Sequence, residues 1–278
     1  MRIVIFGGTG SLGRALCRVI LKESPKAKVY IVSRCELRQK EHKKEFPKLN
    51  ATYVLGDVRD FRWRLLLPSS CDTVYNLAAS KHVEVCEENV DYAVQVNYDG
   101  VKNTYAYARA SGADYRYTST DKAVRPVNAY GMAKALGEKY LMDKPGAYIY
   151  RWGNILGSRG SFLHVMKDKL LKGESVPLTD SKMTRFWLHI DDVAAFLYAS
   201  PNSKILIPDM KSAPLTLLVA AVACHLDVSN YKTHEIGLRP GEKLHEEISW
   251  HVSGKSSSKK GFEMNFEEAL TLVGRVLK

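Results

Sequence analysis

The chain has 278 residues, of which 45% are hydrophobic, so it can bury the core of one large domain or of two lobes. No apolar run reaches the about 18 residues that a membrane helix needs, and residues 1–6 lead directly into a glycine-rich loop, so we expect a soluble protein of the cytoplasm. The formal net charge of +11 is compatible with nucleic-acid binding. The basic runs at 34–48 and 255–260 lack interleaved aromatic residues, which favours a merely cationic surface or attraction of phosphate-bearing small molecules.

The five cysteines are scattered along the chain. They form no C-x-x-C pair and have no histidine at zinc-ligand spacing. The sequence therefore predicts neither a disulfide framework nor a metal site, and it indicates a reducing compartment.

Strand and helix patterns alternate over the first half of the chain. Apolar runs at 3–6, 29–32, 53–55 and 73–77 are separated by segments long enough for a helix, and apolar residues three or four apart predict a long helix within 87–110. Two further strands are predicted at 115–119, where Arg116 is unusually polar for a central strand, and at 148–150. This alternation is typical of an α/β fold with a Rossmann-like, doubly wound parallel sheet.

The regular alternation ends near residue 153, after which we expect short helices, loops and glycine turns. We interpret residues 1–152 as a dinucleotide-binding domain to which residues 188–200 return through a helix at 191–199. Residues 153–187 and 201–278 are interpreted as a smaller substrate-binding lobe over the carboxyl ends of the strands. The low-complexity stretch 253–261 predicts a loop before a last helix from residue 265.

A glycine-rich loop directly follows the first strand and opens a helix, so its backbone amides can face a pyrophosphate. An ordinary tight turn is the alternative, and the strand–loop–helix context disfavours it. The residues predicted to hold the dinucleotide here are Gly7, Thr9, Gly10, Ser11, Leu12 and Gly13.

The second strand ends in Ser33 and Arg34, with Arg38 beyond. An enzyme that uses NAD usually has an acid at this point for the ribose hydroxyls, whereas an arginine can bind the 2′-phosphate of NADP. NADP is therefore favoured, although Glu36 keeps NAD open. The other predicted coenzyme contacts follow the third and fourth strands: Asp57 and Val58 at the adenine, and Ala78 and Ala79 at the nicotinamide.

Tyr130 and Lys134 are four residues apart and share one face of a predicted helix. A phenol with a pKa near 10 needs about 4 kcal/mol of help to act as a base near pH 7. One cation about 4 Å away supplies roughly that much at an effective dielectric constant of about 20. Lys134, together with a positively charged nicotinamide ring, is sufficient on this argument, although the same spacing also occurs in exposed helices.

Several motifs together resemble the extended short-chain dehydrogenase/reductases. Within that group the chain resembles the UDP-N-acetylglucosamine 4,6-dehydratases of bacterial surface-sugar synthesis, over almost its whole length. The Thr120-Asp121-Lys122 element is the discriminating motif; without the surrounding matches it reads as a surface turn with a helix cap. The matching stretches are 9–13, 119–130, 151–154, 157–161, 183–186 and 239–243.

The resemblance implies a dehydration with NADP and roles for four residues. Tyr130 would take the proton from the hydroxyl on sugar carbon 4, whose oxygen Thr120 would hydrogen-bond, while hydride passes to NADP⁺. Lys122 would then remove the proton on carbon 5, and Asp121 would protonate the hydroxyl leaving carbon 6, to which hydride returns. Tyr130 stands where some relatives carry Met, which favours the branch that inverts carbon 5.

The resemblance also implies nucleotide-sugar contacts and a homo-oligomer. Asn154 and the arginines would neutralise the diphosphate, although each has an alternative as a surface or structural ion pair. Trp152 replaces a tyrosine of the family pattern and Cys35 stands where an acid often follows the arginine, departures that concern contacts and loops more than the chemistry. The implied substrate-binding residues are Lys81, His82, Asn154, Arg159, Arg185, Arg239 and Glu242.

Two other functions stay open. A UDP-sugar 4-epimerase would share the fold, Tyr130 and Lys134, but it has no need of Asp121 and Lys122 and normally holds NAD tightly. The net charge also allows a non-catalytic relative that binds nucleotides or RNA.

Overall fold

The computed structural model describes residues 1–201, 203–249, 257–258 and 263–277. A π-helical turn occupies Gln95–Asp99, and 3₁₀ helices occupy Arg62–Leu66 and Asp121–Ala123. The other elements, in chain order, are β1 (Arg2–Phe6), α1 (Ser11–Glu23), β2 (Lys28–Ser33), α2 (Glu36–Glu45), β3 (Ala51–Leu55), β4 (Thr73–Asn76), α3 (Val83–Glu88), α4 (Val90–Val94), α5 (Gly100–Ala110), β5 (Asp114–Thr120), α6 (Ala129–Leu141), β6 (Ala147–Trp152), β7 (Asn154–Leu156), α7 (Phe162–Leu171), β8 (Val176–Leu178), β9 (Thr184–His189), α8 (Ile190–Tyr198), β10 (Ile205–Leu206), β11 (Lys211–Pro214), α9 (Leu215–His225), β12 (Thr233–Glu235) and α10 (Phe266–Leu277).

Contacts along the backbone divide the chain into two units. Unit 1 comprises Met1–Arg151 and Ala194–Ile207, and unit 2 comprises Trp152–Val193 and Pro208–Lys278. The assignment of coenzyme binding to 1–152 with 188–200, and of substrate binding to 153–187 with 201–278, stays a prediction.

Unit 1 is built on a seven-stranded parallel sheet with the order β10-β6-β5-β4-β1-β2-β3. The order reverses beside β1, since the chain first adds β2 and β3 on one side and then β4, β5 and β6 on the other. Apolar side chains of the strands and of α5 pack into one buried cluster that includes Phe6, Val74 and Tyr115. The predicted doubly wound α/β fold is confirmed.

Arg116 lies in the middle of this sheet and is 6% exposed. Its Nη1 donates to the carbonyl oxygens of Leu197, Tyr198 and Ala199 at 2.7, 2.8 and 2.7 Å, and its guanidinium lies 5.3 Å from the ring centroid of Tyr75. The last carbonyls of a helix lack partners within the helix and favour a cation. Arg116 therefore caps the end of α8, which explains a charge in a central strand.

The helix predicted within 87–110 consists of α4, the π-helical turn and α5, preceded by the last residues of α3. Its predicted end is confirmed, because Ser111 caps α5 and Gly112 has φ of +75°. The π turn inserts one residue into the helical repeat, and it brings the buried Asn97 to a polar partner described below.

Unit 2 contains two small sheets, with the orders β11-β9-β7 and β12-β8. The expectation of only helices, loops and turns after residue 153 was therefore wrong. These strands are three to six residues long, and most of them are too short for a period-2 pattern to appear. A second apolar cluster, which includes Trp187, Leu218 and Val273, joins β9 to α9 and α10.

Two predictions near the carboxyl end have different outcomes. The last helix, expected from residue 265, begins at Phe266. The predicted loop at 253–261 lies outside the described residues except for Ser257 and Ser258. None of the helices in the described part of the chain is long and apolar enough to cross a membrane.

Candidate active site

The parallel register aligns the carboxyl ends of the strands of unit 1. Phe6 pairs with Val32 on one side and with Asn76 on the other, and Asn76 pairs with Tyr117. Because parallel strands end at the same edge, the segments that follow β1 to β5 meet there. This edge carries most of the site residues predicted from the sequence in unit 1.

The glycine loop between β1 and α1 makes close backbone contacts. Gly7 has φ of +78°, its amide donates to the Val32 carbonyl at 2.8 Å, and a Cβ added to Gly7 would lie 2.9 Å from the backbone nitrogen of Ala78. A Cβ on Gly13 would lie 2.1 Å from the Gly8 carbonyl oxygen. Gly10, which precedes α1, has no side chain to cap the helix. The loop therefore presents the first turn of α1, from Ser11 to Gly13, as a cradle that fits a pyrophosphate.

The loop after β4 is held by two buried asparagines. Asn76 accepts from the Ala78 amide at 3.2 Å and donates to the Tyr115 hydroxyl at 2.9 Å. Asn97 accepts from the Ser80 amide and donates to the Ser80 carbonyl, both at 2.9 Å. No site role for Asn97 was predicted from the sequence. A polar side chain on the apolar face of a predicted helix was the available signal.

Ala79, Lys81 and His82 follow this loop with exposed side chains. His82 is the residue before the first turn of α3. The structure therefore places the predicted pair Lys81 and His82 at the same edge as the glycine loop, on its solvent side.

The ends of β2 and β3 bring Arg34 and Asp57 together, with Arg34 Nη1 3.5 Å from Asp57 Oδ2. Ser33 accepts a hydrogen bond from Gln39 through both its carbonyl and its hydroxyl oxygen, each at 3.1 Å. Arg38 lies on α2 and is exposed, whereas Val58 is buried. Burial raises the pKa of Asp57, but hydrogen bonds and charge from Arg59, with the charge of Arg34, outweigh it and lower that pKa.

The catalytic candidates cluster around the 3₁₀ helix after β5. Thr120 caps this helix, because its hydroxyl accepts from the Lys122 amide at 3.3 Å while donating to Asp121 Oδ1 at 3.0 Å. Lys122 Nζ lies 3.2 Å from the same Asp121 oxygen, and Asp121 is fully buried. Acid, amine and hydroxyl are therefore in direct contact.

Helix α6 brings Tyr130 to this cluster. Asn128 begins the helix by accepting from the Gly131 amide at 2.7 Å. A Cβ on Gly131 would lie 2.2 Å from the Lys122 carbonyl oxygen, so only glycine allows the helix to pass so close to the 3₁₀ turn. The Tyr130 hydroxyl is hydrogen-bonded to Thr120.

The effects of burial and charge on the pKa of Tyr130 differ from those expected from the sequence. Burial raises the pKa of Tyr130 to about 12, while the charge of Lys122 and the hydrogen bond with Thr120 act to lower it. Burial also lowers the pKa of Lys134 to about 7, against the charge of Glu138. Lys134 Nζ donates to the Thr118 carbonyl at 2.5 Å and lies 4.1 Å from the Tyr117 ring centroid. The charge of Lys122 acts on the phenol in this structure.

Ser119 lies in the matching stretch 119–130, and the sequence predicted no site role for it. It is 4% exposed, and its hydroxyl has no hydrogen-bond partner among the residues that the structure describes. A buried hydroxyl without a partner is costly, so this atom fits a polar group of a bound ligand at the strand ends. Together with the glycine cradle, it supports the fit of this edge to a dinucleotide and a polar substrate.

The substrate-binding residues predicted after residue 153 lie in unit 2, in different settings. Asn154 lies in β7, and Arg159 is exposed after it. Arg185 in β9 is buried and donates to the carbonyl oxygens of Thr184, Leu244 and Lys243 at 2.8, 3.2 and 2.9 Å. Arg239 and Glu242 share one turn, in which each accepts from the other's amide at 3.3 or 3.1 Å. Arg185 thus holds the segment that follows this turn.

The strand order, the glycine cradle after β1 and the tyrosine and lysine on α6 define an extended short-chain dehydrogenase/reductase. Residues 3–267 match the family described as "Polysaccharide biosynthesis protein", and the chain belongs to this family.

The relatives of this chain are named for two different activities. The chain is 35% identical over 259 residues to a UDP-N-acetylglucosamine 4,6-dehydratase (inverting) of Campylobacter jejuni subsp. jejuni serotype O:23/36 (strain 81-176), covering 88% of this chain and 76% of the relative. It is 31% identical over 262 residues to a UDP-glucose 4-epimerase of Rickettsia massiliae (strain Mtu5), with the same two coverages. The X-ray structure of Pen from Bacillus thuringiensis superimposes with a TM-score of 0.88 at 26% identity, over 99% of this chain and 97% of Pen.

Proposed function

We propose that the protein is an NADP-dependent UDP-N-acetylglucosamine 4,6-dehydratase that inverts carbon 5, a hydro-lyase of polysaccharide biosynthesis. The observation that carries the proposal is the buried contact of Asp121 with Lys122, beside Tyr130 and Thr120. Oxidation at carbon 4 needs only a base and a hydride acceptor, whereas loss of water from carbons 5 and 6 needs a second base and an acid. The pair supplies both. The inverting Campylobacter jejuni relative supports the same choice.

The first step in the proposed reaction is proton removal from the carbon 4 hydroxyl by the Tyr130 phenolate. Lys122 stabilises that phenolate by charge. Thr120 stabilises it by a hydrogen bond, for which its hydroxyl proton turns from Asp121 to the phenolate oxygen. A bound nicotinamide coenzyme, held by residues 7–13, 33–38, 57–58 and 78–79, would supply the hydride acceptor at carbon 4 and the hydride donor at carbon 6. The resulting ketone at carbon 4 acidifies the hydrogen on carbon 5.

Elimination then uses the neutral form of the Asp121–Lys122 pair. One proton shift across the 3.2 Å contact converts ammonium and carboxylate into amine and carboxylic acid. Burial favours this neutral form. The amine accepts the carbon 5 proton and the acid protonates the carbon 6 hydroxyl, which leaves as water, so the ion pair is formed again. The reverse shift restores the neutral pair for the next turnover.

Inversion requires that carbon 5 receives its new proton on the face opposite to Lys122. That proton comes from solvent, and Tyr130 returns the carbon 4 proton to solvent, so the protons balance. Within unit 2 we assign Asn154, Arg159, Arg185, Arg239 and Glu242 to the nucleotide sugar, and within unit 1 Lys81 and His82. A homo-oligomer and a cytoplasmic location stay predictions.

Mass spectrometry of the protein with NADP⁺ and UDP-N-acetylglucosamine in deuterated water tests the function. We expect a product that has lost one water and carries deuterium at carbon 5, with inverted configuration by NMR. The variant Asp121→Asn, which keeps the Lys122 charge beside Tyr130, should lose dehydration while still exchanging hydride at carbon 4. Dehydration that survives in this variant would overturn the assigned roles.

The second candidate is a UDP-sugar 4-epimerase, which the Rickettsia massiliae relative favours. It predicts unchanged mass and the appearance of UDP-N-acetylgalactosamine in the same experiment. It also predicts that Asp121→Asn retains most of its turnover, because epimerisation needs no acid at carbon 6.

A further inference from the structure

Two arginines from different strand ends share one tyrosine ring at the coenzyme edge of unit 1. The Arg34 guanidinium, after β2, lies 5.9 Å from the Tyr92 ring centroid and donates to the Tyr92 hydroxyl. The Arg59 guanidinium, after β3, lies 4.9 Å from the same centroid. A guanidinium over an aromatic face is attracted by the ring and loses part of its freedom. Tyr92 in α4 therefore holds two cations close together.

Asp57 contacts the same two arginines. Arg59 donates to it through Nε at 3.1 Å, through Nη2 at 2.8 Å and through its backbone amide at 3.0 Å, and Arg34 Nη1 lies 3.5 Å away. The carboxylate side chain is 20% exposed, whereas those of Arg34 and Arg59 are 54% and 37% exposed. Two cations and one anion leave a surplus positive charge on the solvent side of the cluster. The half-buried carboxylate of Asp57 orients the two arginines and neutralises only part of their charge.

We propose that Arg59 and Tyr92 complete, with Arg34, the site that recognises the 2′-phosphate of the coenzyme and so selects NADP over NAD. This inference rests on the coenzyme of the proposed function. Two planar forks held at fixed orientation suit a phosphate dianion, since each can donate two parallel hydrogen bonds. Arg34 and Arg59 contact the phosphate, and Tyr92 and Asp57 are positioning residues. Asp57 follows β3 and is engaged by the two arginines, whereas the acid that accepts from the ribose of NAD follows the second strand.

The chain provides a matched control for Arg59. Arg62 donates to the Asp60 carboxylate in the same pattern. Its Nε lies 3.0 Å from Oδ1 and 2.8 Å from Oδ2, its Nη2 lies 2.5 Å from Oδ2, and its backbone amide lies 2.9 Å from Oδ1. Its side chain is 88% exposed. Arg59→Met and Arg62→Met therefore remove the same charge and the same type of chelate from positions three residues apart, of which only Arg59 belongs to the cluster.

The test is equilibrium binding of NADPH and NADH to the full chain without sugar, followed by coenzyme fluorescence, with 2′,5′-ADP and 5′-AMP as competitors. Arg59→Met should weaken the binding of NADPH and 2′,5′-ADP by about tenfold to a hundredfold. The affinities for NADH and 5′-AMP should change by less than about twofold. Arg59→Lys should fall between wild type and Arg59→Met, because it keeps the charge and loses the fork. Tyr92→Leu should weaken NADPH selectively, and Arg62→Met should leave every affinity unchanged.

The outcomes separate this inference from the coenzyme assignment itself. Wild-type protein that binds NADH as tightly as NADPH would contradict the NADP assignment of the proposed function. Wild-type protein that prefers NADPH, with the same preference in Arg59→Met, would overturn the inference and leave the assignment standing. If Arg59→Met does not fold, Arg59→Lys decides: an unchanged ratio of NADPH to NADH affinity overturns the inference, and a reduced ratio supports it.

Discussion

At the scale of single residues, Gly131 controls how closely α6 approaches the catalytic turn. The Cβ of Gly131→Ala would lie 2.2 Å from the Lys122 carbonyl oxygen, and a backbone atom cannot rotate away. We expect a loss of about 1–3 kcal/mol in the free energy of unfolding and at least about tenfold in kcat, because the helix that carries Tyr130 must move away from Thr120. Urea denaturation and steady-state kinetics measure the two effects.

Gly274 is the control for this substitution, because it also lies in a helix and its nearest contact for a Cβ is His225 at 3.7 Å. Gly274→Ala should keep wild-type activity and gain roughly 0.5–1 kcal/mol from helix propensity. Equal behaviour of the two alanine variants would contradict the close-packing argument.

Thr120 is predicted to set the lower pH limit of activity. When its hydroxyl proton turns from Asp121 to Tyr130, the hydrogen bond favours the phenolate, so removal of the hydroxyl raises the pKa of Tyr130. Activity needs the phenolate and therefore rises with pH through that pKa. In Thr120→Val the acidic limb of the pH–rate profile should shift by about one unit to higher pH. Thr120→Ser keeps the hydroxyl and should restore the limb. A limb that stays in place in the valine variant would remove Thr120 from this role.

At the scale of elements, α2 is attached to the sheet by a buried histidine. His42 has no exposed surface, its Nδ1 is 2.9 Å from the Tyr53 hydroxyl, and its ring stacks on Phe46 at 4.5 Å. Burial, with the charge of Arg14, lowers the pKa of His42 to about 4 from 6.5. Protonation therefore favours the unfolded chain, and stability that is present above pH 6.5 is lost as the pH falls towards 4.

The expected loss attributable to His42 is about 2 kcal/mol between pH 7.5 and pH 5. Urea denaturation at the two pH values measures this loss. In His42→Leu the difference in the free energy of unfolding between the two pH values should be smaller by that amount, because leucine does not titrate. The other titrating groups cancel in the comparison. An identical pH dependence in wild type and variant would show that His42 is not the acid-sensitive contact of α2.

Strands and helices of unit 1 could be predicted because their signals are local. Each strand from β1 to β4 begins and ends within two residues of its apolar run. Arg116 illustrates what a local signal cannot supply. It made β5 look doubtful, and its partners at 197–199 lie about 80 residues away along the chain. A capping contact between distant elements leaves no pattern in either segment.

At the scale of the whole molecule, the candidate site was predictable where parallel strands force their ends together. Topology alone aligns the glycine loop, Arg34, Asp57 and Thr120, so a sequence that predicts the strand order also predicts their proximity. The charges on those residues were less predictable, since they depend on burial and on neighbours. Burial lowers the pKa of Lys134 to about 7, so its role as the supporting cation stays a prediction.

The net charge of +11 leads to a prediction about the whole surface. Exposed cations on α2, including Lys40, Lys43 and Lys44, lie on the element that follows Arg34. A cationic surface raises the rate at which phosphate-bearing ligands arrive, and salt screens it over about 10 Å at 0.1 M. We therefore expect kcat/KM for UDP-N-acetylglucosamine to fall severalfold between about 20 and 300 mM salt, with kcat nearly constant.

Lys40→Gln/Lys43→Gln/Lys44→Gln removes three of these charges away from the catalytic cluster, so it should flatten the salt dependence of kcat/KM and leave kcat unchanged.

If the charge instead serves RNA, wild-type protein should retain single-stranded RNA near 150 mM salt. Its affinity should then fall steeply and linearly on a double-logarithmic salt plot. The two readings differ in which ligand the salt acts on: steering changes the arrival of a small dianionic sugar nucleotide, whereas a nucleic-acid surface releases several counterions at once. If the triple variant loses RNA binding while the salt dependence of kcat/KM is unchanged, the positive charge of α2 serves RNA binding.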